Sequence, residues 1–101
     1  MDNAGKVELL KKRADELEVA LRECAEIDSD AAMALCKILP IFHKINAGEI
    51  VPPCSVEYGH YEFSTEGVLF KYSDLCAAEA RFAAALGDWY SQPWFKSIAD
   101  R

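Results

Sequence analysis

Cysteine and histidine are the residue types in this chain that could act as a nucleophile and a base, and one of each lies close together. Cys54 follows Pro52-Pro53 in a segment that we expect to be an accessible loop, and His60 comes six positions later. A thiol beside an imidazole base is the pair that thiol hydrolases use. No orienting motif accompanies this pair, and the chain has no glycine-rich phosphate loop and no Gly-x-Ser-x-Gly turn. The sequence therefore favours a protein that is not an enzyme.

The four cysteines are too far apart for a zinc site. They are separated by 12, 18 and 22 positions: Cys24, Cys36, Cys54 and Cys76. Structural zinc sites use close pairs of cysteines, because one turn must aim two thiolates at the same ion. A disulfide framework is also not expected, because the composition supports an ordinary core and no export signal is present. We expect reduced thiols, with Cys24 and Cys36 buried on the apolar faces of helices.

Asp28-Ser29-Asp30 has the acids that open a calcium-binding loop. Such a loop also needs a glycine at its sixth position and a glutamate at its twelfth, where this chain has Met33 and Leu39. We therefore interpret the three residues as the cap of a helix, and we expect no metal and no cofactor.

Acidic charge is concentrated in two parts of the chain. The formal net charge is −6, and residues 15–30 alone carry seven carboxylates against one arginine, while residues 49–66 carry four carboxylates and no lysine or arginine. Solvated helix ends are one interpretation. The other is a surface for a basic partner, because complementary charge speeds association and selects among partners. On this hypothesis the predicted contacts are Glu23, Glu26, Asp28, Asp30, Glu57, Glu62 and Glu66.

Four aromatic residues lie close together near the C-terminus: Trp89, Tyr90, Trp94 and Phe95. They could close the hydrophobic core. Alternatively, Trp89 and Trp94 could be partly exposed as interface anchors, since Trp and Tyr dominate the energetics of protein interfaces. We therefore add Trp89 and Trp94 to the predicted contact surface.

The first element that must position these residues is a helix over about residues 5–26. Its apolar residues recur at alternating intervals of three and four, which is a heptad stripe: Val7, Leu10, Ala14, Leu17, Leu21 and Cys24. The stripe could pack inside a bundle or against its copy in a second chain. A homodimer through the helix bearing Val7, Leu10, Leu17 and Leu21 is therefore an alternative.

A second helix is predicted over residues 30–47 and a third over residues 74–86. Pro40 either kinks the second helix or splits it, and Gly48 is expected to end it in the left-handed conformation. The predicted apolar face of the second helix comprises Met33, Leu35, Cys36, Ile38, Leu39, Phe42 and Ile45. The predicted core face of the third helix comprises Leu75, Ala78, Phe82 and Leu86.

Between these helices, residues 58–72 change to a period of two, which is typical of β-strands. Thr65-Glu66-Gly67 is the expected turn, with Gly67 at a positive φ, and Tyr61 and Phe63 should be buried on the helices. The predicted fold is mainly α (α+β). It is a compact bundle of three to five helices in a single domain over residues 1–101, with one β-hairpin inserted before the third long helix.

Clustered acidic charge without a catalytic motif favours binding of a macromolecule over chemistry. We expect a small acidic protein-binding inhibitor, such as an immunity protein that neutralises a bacterial toxin or effector by occupying a basic surface. The alternative is a homodimeric structural or adaptor module. Direct binding to nucleic acid is not expected, because the basic residues cluster only at Lys11-Lys12-Arg13. No apolar run is long enough to span a membrane, and no secretory signal is recognised, so we expect a cytoplasmic protein.

Overall fold

The computed structural model describes residues 2–93, and most of them belong to three α-helices. These are α1 (Asn3–Ala25), α2 (Ser29–Asn46) and α3 (Ser73–Leu86). Two short 3₁₀ turns also occur, at His60–Phe63 and Trp89–Ser91. The prediction of a compact, mainly helical fold is confirmed, with the helix count of the described residues at the low end of the predicted range. The short helix predicted at the C-terminus, with Trp94 and Phe95, lies outside the described residues.

The heptad stripe of α1 is buried against α2 and α3. Its almost completely buried members are Leu10, Ala14, Leu17 and Leu21, whereas Val7 is half-buried. At the N-terminus the carboxylate of Asp2 accepts a hydrogen bond from the Gly5 amide at 2.7 Å, which satisfies a free amide of the first turn. The stripe therefore packs within its own chain, and pairing with a second copy through it would require the bundle to open.

α2 continues through Pro40 as one helix, so the alternative of two shorter helices is not observed. Asp28 caps its N-terminus by accepting a hydrogen bond from the Asp30 amide at 2.8 Å. Gly48 follows its C-terminus with a φ of 77°, which is the predicted left-handed conformation. Both ends of α2 are thus determined by local residues.

The buried face of α2 is narrower than the sequence predicts. Its buried residues are Ala31, Ala34, Leu35, Ile38, Phe42 and Ile45. Met33 and Cys36 are exposed, although the sequence pattern places both on the apolar face. Successive residues of a helix point about 100° apart, so neighbouring apolar residues cannot all face the core. The prediction that Cys36 is buried is therefore wrong.

α3 carries the predicted core residues and three further buried residues, Ala84, Ala85 and the charged Glu79. Phe82 lies at the centre of the core. Its ring makes edge contacts with Phe42 of α2, at a centroid distance of 5.9 Å, and with Tyr58, at 5.2 Å. These contacts join α2, α3 and the segment that connects them, residues 47–72, which we call the connecting segment.

The predicted β-hairpin is wrong. No residue between 2 and 93 lies in a strand, and residues 58–72 form a 3₁₀ turn followed by further turns. Backbone amides in this stretch donate to carbonyls three residues earlier, as in the bond from Gly67 to Ser64 at 2.8 Å. The buried residues Tyr58, Phe63 and Leu69 are five and six positions apart. A strand would place every second side chain on one face, whereas this stretch reaches the core at three separate points.

Gly67 is needed for close packing in these turns, and not for the positive φ that the hairpin would require. The glycines with positive φ in the described residues are Gly48 and Gly59, at 77° and 85°. A Cβ atom on Gly67 would overlap the carbonyl oxygens of Tyr61 and Glu62. The chain closes so tightly here that this position excludes a side chain.

The structure predicts different outcomes for two aromatic residues that a hairpin would bury together. Phe63→Ala should lower the free energy of unfolding by about 3–5 kcal/mol, because the removed ring is 5% exposed. Tyr61→Ala should change it by no more than about 0.5 kcal/mol, because Tyr61 is 64% exposed. Urea denaturation followed by circular dichroism measures both. Equal losses would contradict the structure and favour the hairpin.

Candidate functional site

The corner between α1 and α2 carries most of the acidic charge of residues 15–30. α1 ends at Ala25, and the chain turns through Glu26 and Ile27 before Asp28 caps α2. Glu23, Glu26 and Asp30 are exposed, whereas Asp28 is partly buried. Ile27, at the tip of the corner, is 80% exposed. The corner therefore presents a large apolar side chain among carboxylates.

Asp28 is committed to contacts within the protein. Its Oδ2 accepts a hydrogen bond from the Tyr72 hydroxyl at 2.6 Å and lies 3.3 Å from Lys71 Nζ, while Oδ1 accepts from the Asp30 amide. The Tyr72 hydrogen bond, then the Asp30 amide and Lys71, hold the pKa of Asp28 below its usual range. The same hydrogen bond and burial raise the pKa of Tyr72 to about 12. Asp28 thus joins the corner to the residues that precede α3.

The second group of predicted contacts lies on the connecting segment and is also partly used internally. Glu62 pairs with Lys37 of α2 at 3.0 Å. Glu57 accepts a hydrogen bond from the Gly59 amide at 2.8 Å, and Glu66 is exposed near the hydroxyl of Tyr61. Of the seven predicted acidic contacts, those that form no ion pair with a described residue are Glu23, Glu26, Asp30, Glu57 and Glu66.

The structure brings the corner and part of the connecting segment together. The ion pair between Lys71 and Asp28 and the hydrogen bond from Tyr72 to Asp28 join the corner to the end of the connecting segment. Eight large apolar side chains of the described residues are exposed, and five of them lie either at the corner or between residues 61 and 70. We call the exposed acidic and apolar residues of these two regions the acidic–apolar face. It comprises Glu23, Glu26, Ile27, Asp30 and Met33 of the corner, and Tyr61, Glu66, Val68 and Phe70 of the connecting segment.

A second feature is an open pocket of about 490 Å³ at the C-terminal end of α3. The connecting segment forms one side of it and α3 with Trp89 forms the other. Apolar atoms dominate its walls, to which Pro53, Val56, Ala83, Leu86 and Trp89 contribute. The polar side chains that line the pocket are those of Cys54, Ser55, Tyr58 and His60. Trp89 is partly exposed here, whereas Trp94 lies outside the described residues.

Glu79 orients His60 at the edge of this pocket. Its carboxylate is buried, and Oε2 lies 2.7 Å from His60 Nδ1 and 2.5 Å from the Tyr58 hydroxyl. Burial and the hydrogen bond to Glu79 raise the pKa of Tyr58 far above its usual value, so Tyr58 keeps its proton and donates a hydrogen bond to Glu79. A carboxylate that accepts from an imidazole Nδ1–H is the arrangement that orients a histidine base.

Cys54 and His60 do share this pocket, as their closeness in the sequence suggests. The Cys54 amide donates to the Leu86 carbonyl at 2.9 Å, which fixes the backbone beside α3. Among the described residues, however, the Cys54 thiol forms no hydrogen bond with His60. The contact between nucleophile and base that a thiol hydrolase needs is therefore not formed.

The other cysteines lie apart from this pocket, and all four are free. Cys36 is exposed on α2, whereas Cys24 and Cys76 are partly buried. Burial raises the pKa of both partly buried thiols. The expectation that Cys54 is the accessible cysteine is therefore only partly met, since Cys36 is more exposed.

The sequence interpretation missed Glu79, although a signal for it exists. Leu75, Glu79, Phe82 and Leu86 follow one another at intervals of four, three and four, which places them on one face of a helix. A carboxylate on an otherwise apolar stripe indicates a buried charge that needs donors. The donors themselves, Tyr58 and His60, carry no such local signal.

Several classes of site and relative were not found. Among residues 2–93, no group of three or more histidine, cysteine or acidic side chains is arranged to hold a metal ion. No described helix combines the length and the apolar character needed to cross a membrane. Comparison with protein-family models, curated proteins and solved structures gave no match.

The hydrogen bond from Tyr72 to Asp28 should make stability depend on pH. Because folding lowers the pKa of Asp28, its stabilisation is complete above the unfolded value of about 3.9 and is lost as the pH falls through the lower folded value. Tyr72→Phe should therefore be less stable than the parent at pH 7, and the difference should shrink as the pH falls below about 4. Urea unfolding across this range measures the difference.

The matched control is Tyr61→Phe, which removes a hydroxyl that lies 3.5 Å from the exposed Glu66. It should show little difference from the parent at any pH. A Tyr72→Phe difference that stays constant from neutral to acid pH would contradict the assignment.

Proposed function

We propose that this protein is a small acidic inhibitor that binds a basic partner protein through the acidic–apolar face. The observation that supports this most directly is Ile27, which is 80% exposed between Glu26 and Asp28. Burial of such a side chain is worth about 1.5–3 kcal/mol, and the fold of this chain does not use it. In a complex, the partner would cover the side chain of Ile27, which would act as an apolar anchor surrounded by carboxylates.

The two components of the face have different physical roles. Glu23, Glu26 and Asp30 form no ion pair with a described residue, so their charge is available to attract a basic surface. Long-range attraction of this kind mainly raises the rate and selectivity of association. Apolar side chains that become buried supply most of the free energy of binding. The face offers both components in two adjoining regions.

A toxin or other effector that acts on nucleic acid has the required charge, because it carries clustered lysines and arginines that contact phosphates. An immunity protein would occupy that basic surface in place of the nucleic acid. We place this encounter in the cytoplasm, since a reducing compartment preserves free thiols, and all four cysteines are free, with Cys36 exposed.

The alternative proposal is a homodimeric structural or adaptor module. It would have to use a surface other than the heptad stripe of α1, whose leucines are buried in the core. Sedimentation equilibrium of the purified protein distinguishes the two proposals. A monomer at high micromolar concentration would exclude the homodimer.

Charge reversal on the face tests the inhibitor proposal. The triple variant Glu23→Lys, Glu26→Lys, Asp30→Lys should bind a basic protein captured from the native host at least tenfold more weakly. Ile27→Ser should also weaken binding about tenfold, which corresponds to about 1.4 kcal/mol. Asp28 is left unchanged because it caps α2. Surface plasmon resonance with the captured protein measures both affinities and their dependence on salt.

The control variant Asp15→Lys, Glu8→Lys, Glu49→Lys reverses three exposed acids elsewhere and produces the same change in net charge. It should keep the parent affinity within about threefold. Equal losses in the two triple variants would show that only net charge matters and would contradict the proposed face. Capture of no basic protein by the parent would contradict the proposed function.

A further inference from the structure

His60 lines the pocket at the end of α3 and is oriented there by Glu79. Its Nδ1 and the Tyr58 hydroxyl both lie within hydrogen-bond distance of Oε2 of Glu79. Both contacts are hydrogen bonds if Nδ1 and the hydroxyl each donate to that oxygen. In the neutral form of the imidazole, this arrangement puts the proton on Nδ1 and leaves the lone pair on Nε2. The His60 side chain is 61% exposed, and Nε2 forms no hydrogen bond with a described residue. A donor from outside can therefore reach Nε2.

The remainder of the pocket suits a flat apolar group. Its volume is about 490 Å³, whereas a cavity of about 150 Å³ is enough for benzene, so two fused rings fit. Trp89 and the aliphatic side chains opposite it line the space. An indole offers a face on which another aromatic ring can stack. The pocket thus combines an apolar slot with the imidazole of His60 at its edge.

The charge behind His60 selects among ligands. Glu79 is buried, with its carboxylate directly beside the imidazole. When the imidazole is neutral, the carboxylate of Glu79 leaves negative charge beside the pocket, which disfavours a carboxylate or phosphate ligand. A neutral ligand with a hydroxyl donor meets no such repulsion and satisfies the free lone pair.

We propose that this pocket binds an aromatic alcohol, whose ring packs beside Trp89 and whose hydroxyl donates to Nε2 of His60. Free phenolic compounds and tyrosine side chains of other proteins share this chemistry. The site uses no residue of the acidic–apolar face, so it is independent of the proposed inhibitor function.

Two compounds that differ only in the donor test the proposal. 2-Naphthol should bind to the full-length protein in a saturable one-to-one manner, at least tenfold more tightly than 2-methoxynaphthalene, which lacks the hydroxyl proton. Isothermal titration calorimetry measures both affinities. Titration with N-acetyltyrosinamide distinguishes the sources: tighter binding than 2-naphthol indicates a tyrosine of a protein, and weaker binding indicates a free compound.

Two thiols provide a second readout that depends on position. Cys54 lines the pocket, whereas Cys36 is exposed on α2. Saturating 2-naphthol should slow alkylation of Cys54 by iodoacetamide at least fivefold and leave the rate at Cys36 unchanged. Mass spectrometry of peptides from the full-length protein separates the two rates. Equal rates at Cys54 with and without 2-naphthol would place any binding outside the pocket and overturn the proposal.

Variants test the assigned atoms. His60→Ala should lower the affinity for 2-naphthol at least tenfold and remove its advantage over the ether, whereas His43→Ala, at an exposed histidine of α2, should change neither. Trp89→Leu should weaken both compounds while the alcohol keeps its advantage. Circular dichroism checks folding, and if His60→Ala does not fold, the comparison of the two compounds on the parent decides. Absence of saturable binding, equal affinities for the two compounds, or discrimination that survives His60→Ala would overturn the proposal.

Discussion

The buried carboxylate of Glu79 is the constraint around which the connecting segment is arranged. A charge inside a protein is tolerated only when hydrogen-bond donors compensate for lost water, and α3 supplies no side-chain donor to it. Both donors, Tyr58 and His60, come from the connecting segment. Their docking also places the Tyr58 ring against Phe82 at the centre of the core. The same contact therefore satisfies the charge, completes the core and forms one side of the pocket, without any regular strand.

A second carboxylate, Asp28, fixes the other end of the connecting segment. It caps α2 and accepts a hydrogen bond from the hydroxyl of Tyr72, the residue immediately before α3. Acids used in this way contribute to folding and are poor candidates for partner binding, because reversing them would disturb a helix end. Glu23 and Glu26 have no such internal role among the described residues. The clustered acidic residues of the sequence thus comprise two groups. Some carboxylates stabilise the fold through internal contacts, and others are available to contact a partner protein.

The parts of this structure that could be predicted from sequence are those that local spacing decides. The heptad stripe of α1 and the glycines that follow α2 and α3 depend only on neighbouring residues. The prediction of a β-hairpin was wrong because the alternation of apolar and polar residues is a local pattern. The exposure of Tyr61 depends instead on which residues of the segment pack against the helices. Glu79 could have been found from its spacing to Leu75 and Phe82. Its contact with His60 could not be predicted, because the two residues are 19 positions apart. Most of the chain between them is irregular, and no periodicity describes such a path.

The first 3₁₀ turn connects the pocket with the acidic–apolar face. His60 begins the turn and is held by the buried carboxylate of α3, whereas Glu62 is held by Lys37 of α2 at 3.0 Å. Tyr61, between them, is exposed on the face. A 3₁₀ turn is tightly wound, and the Glu62 carbonyl is further bonded by the Leu69 amide at 2.9 Å. Contacts with α2, with α3 and within the connecting segment therefore hold this turn at both ends. A ligand in the pocket and a partner on the face would contact neighbouring residues of one turn, His60 and Tyr61, although the two sites share no residue.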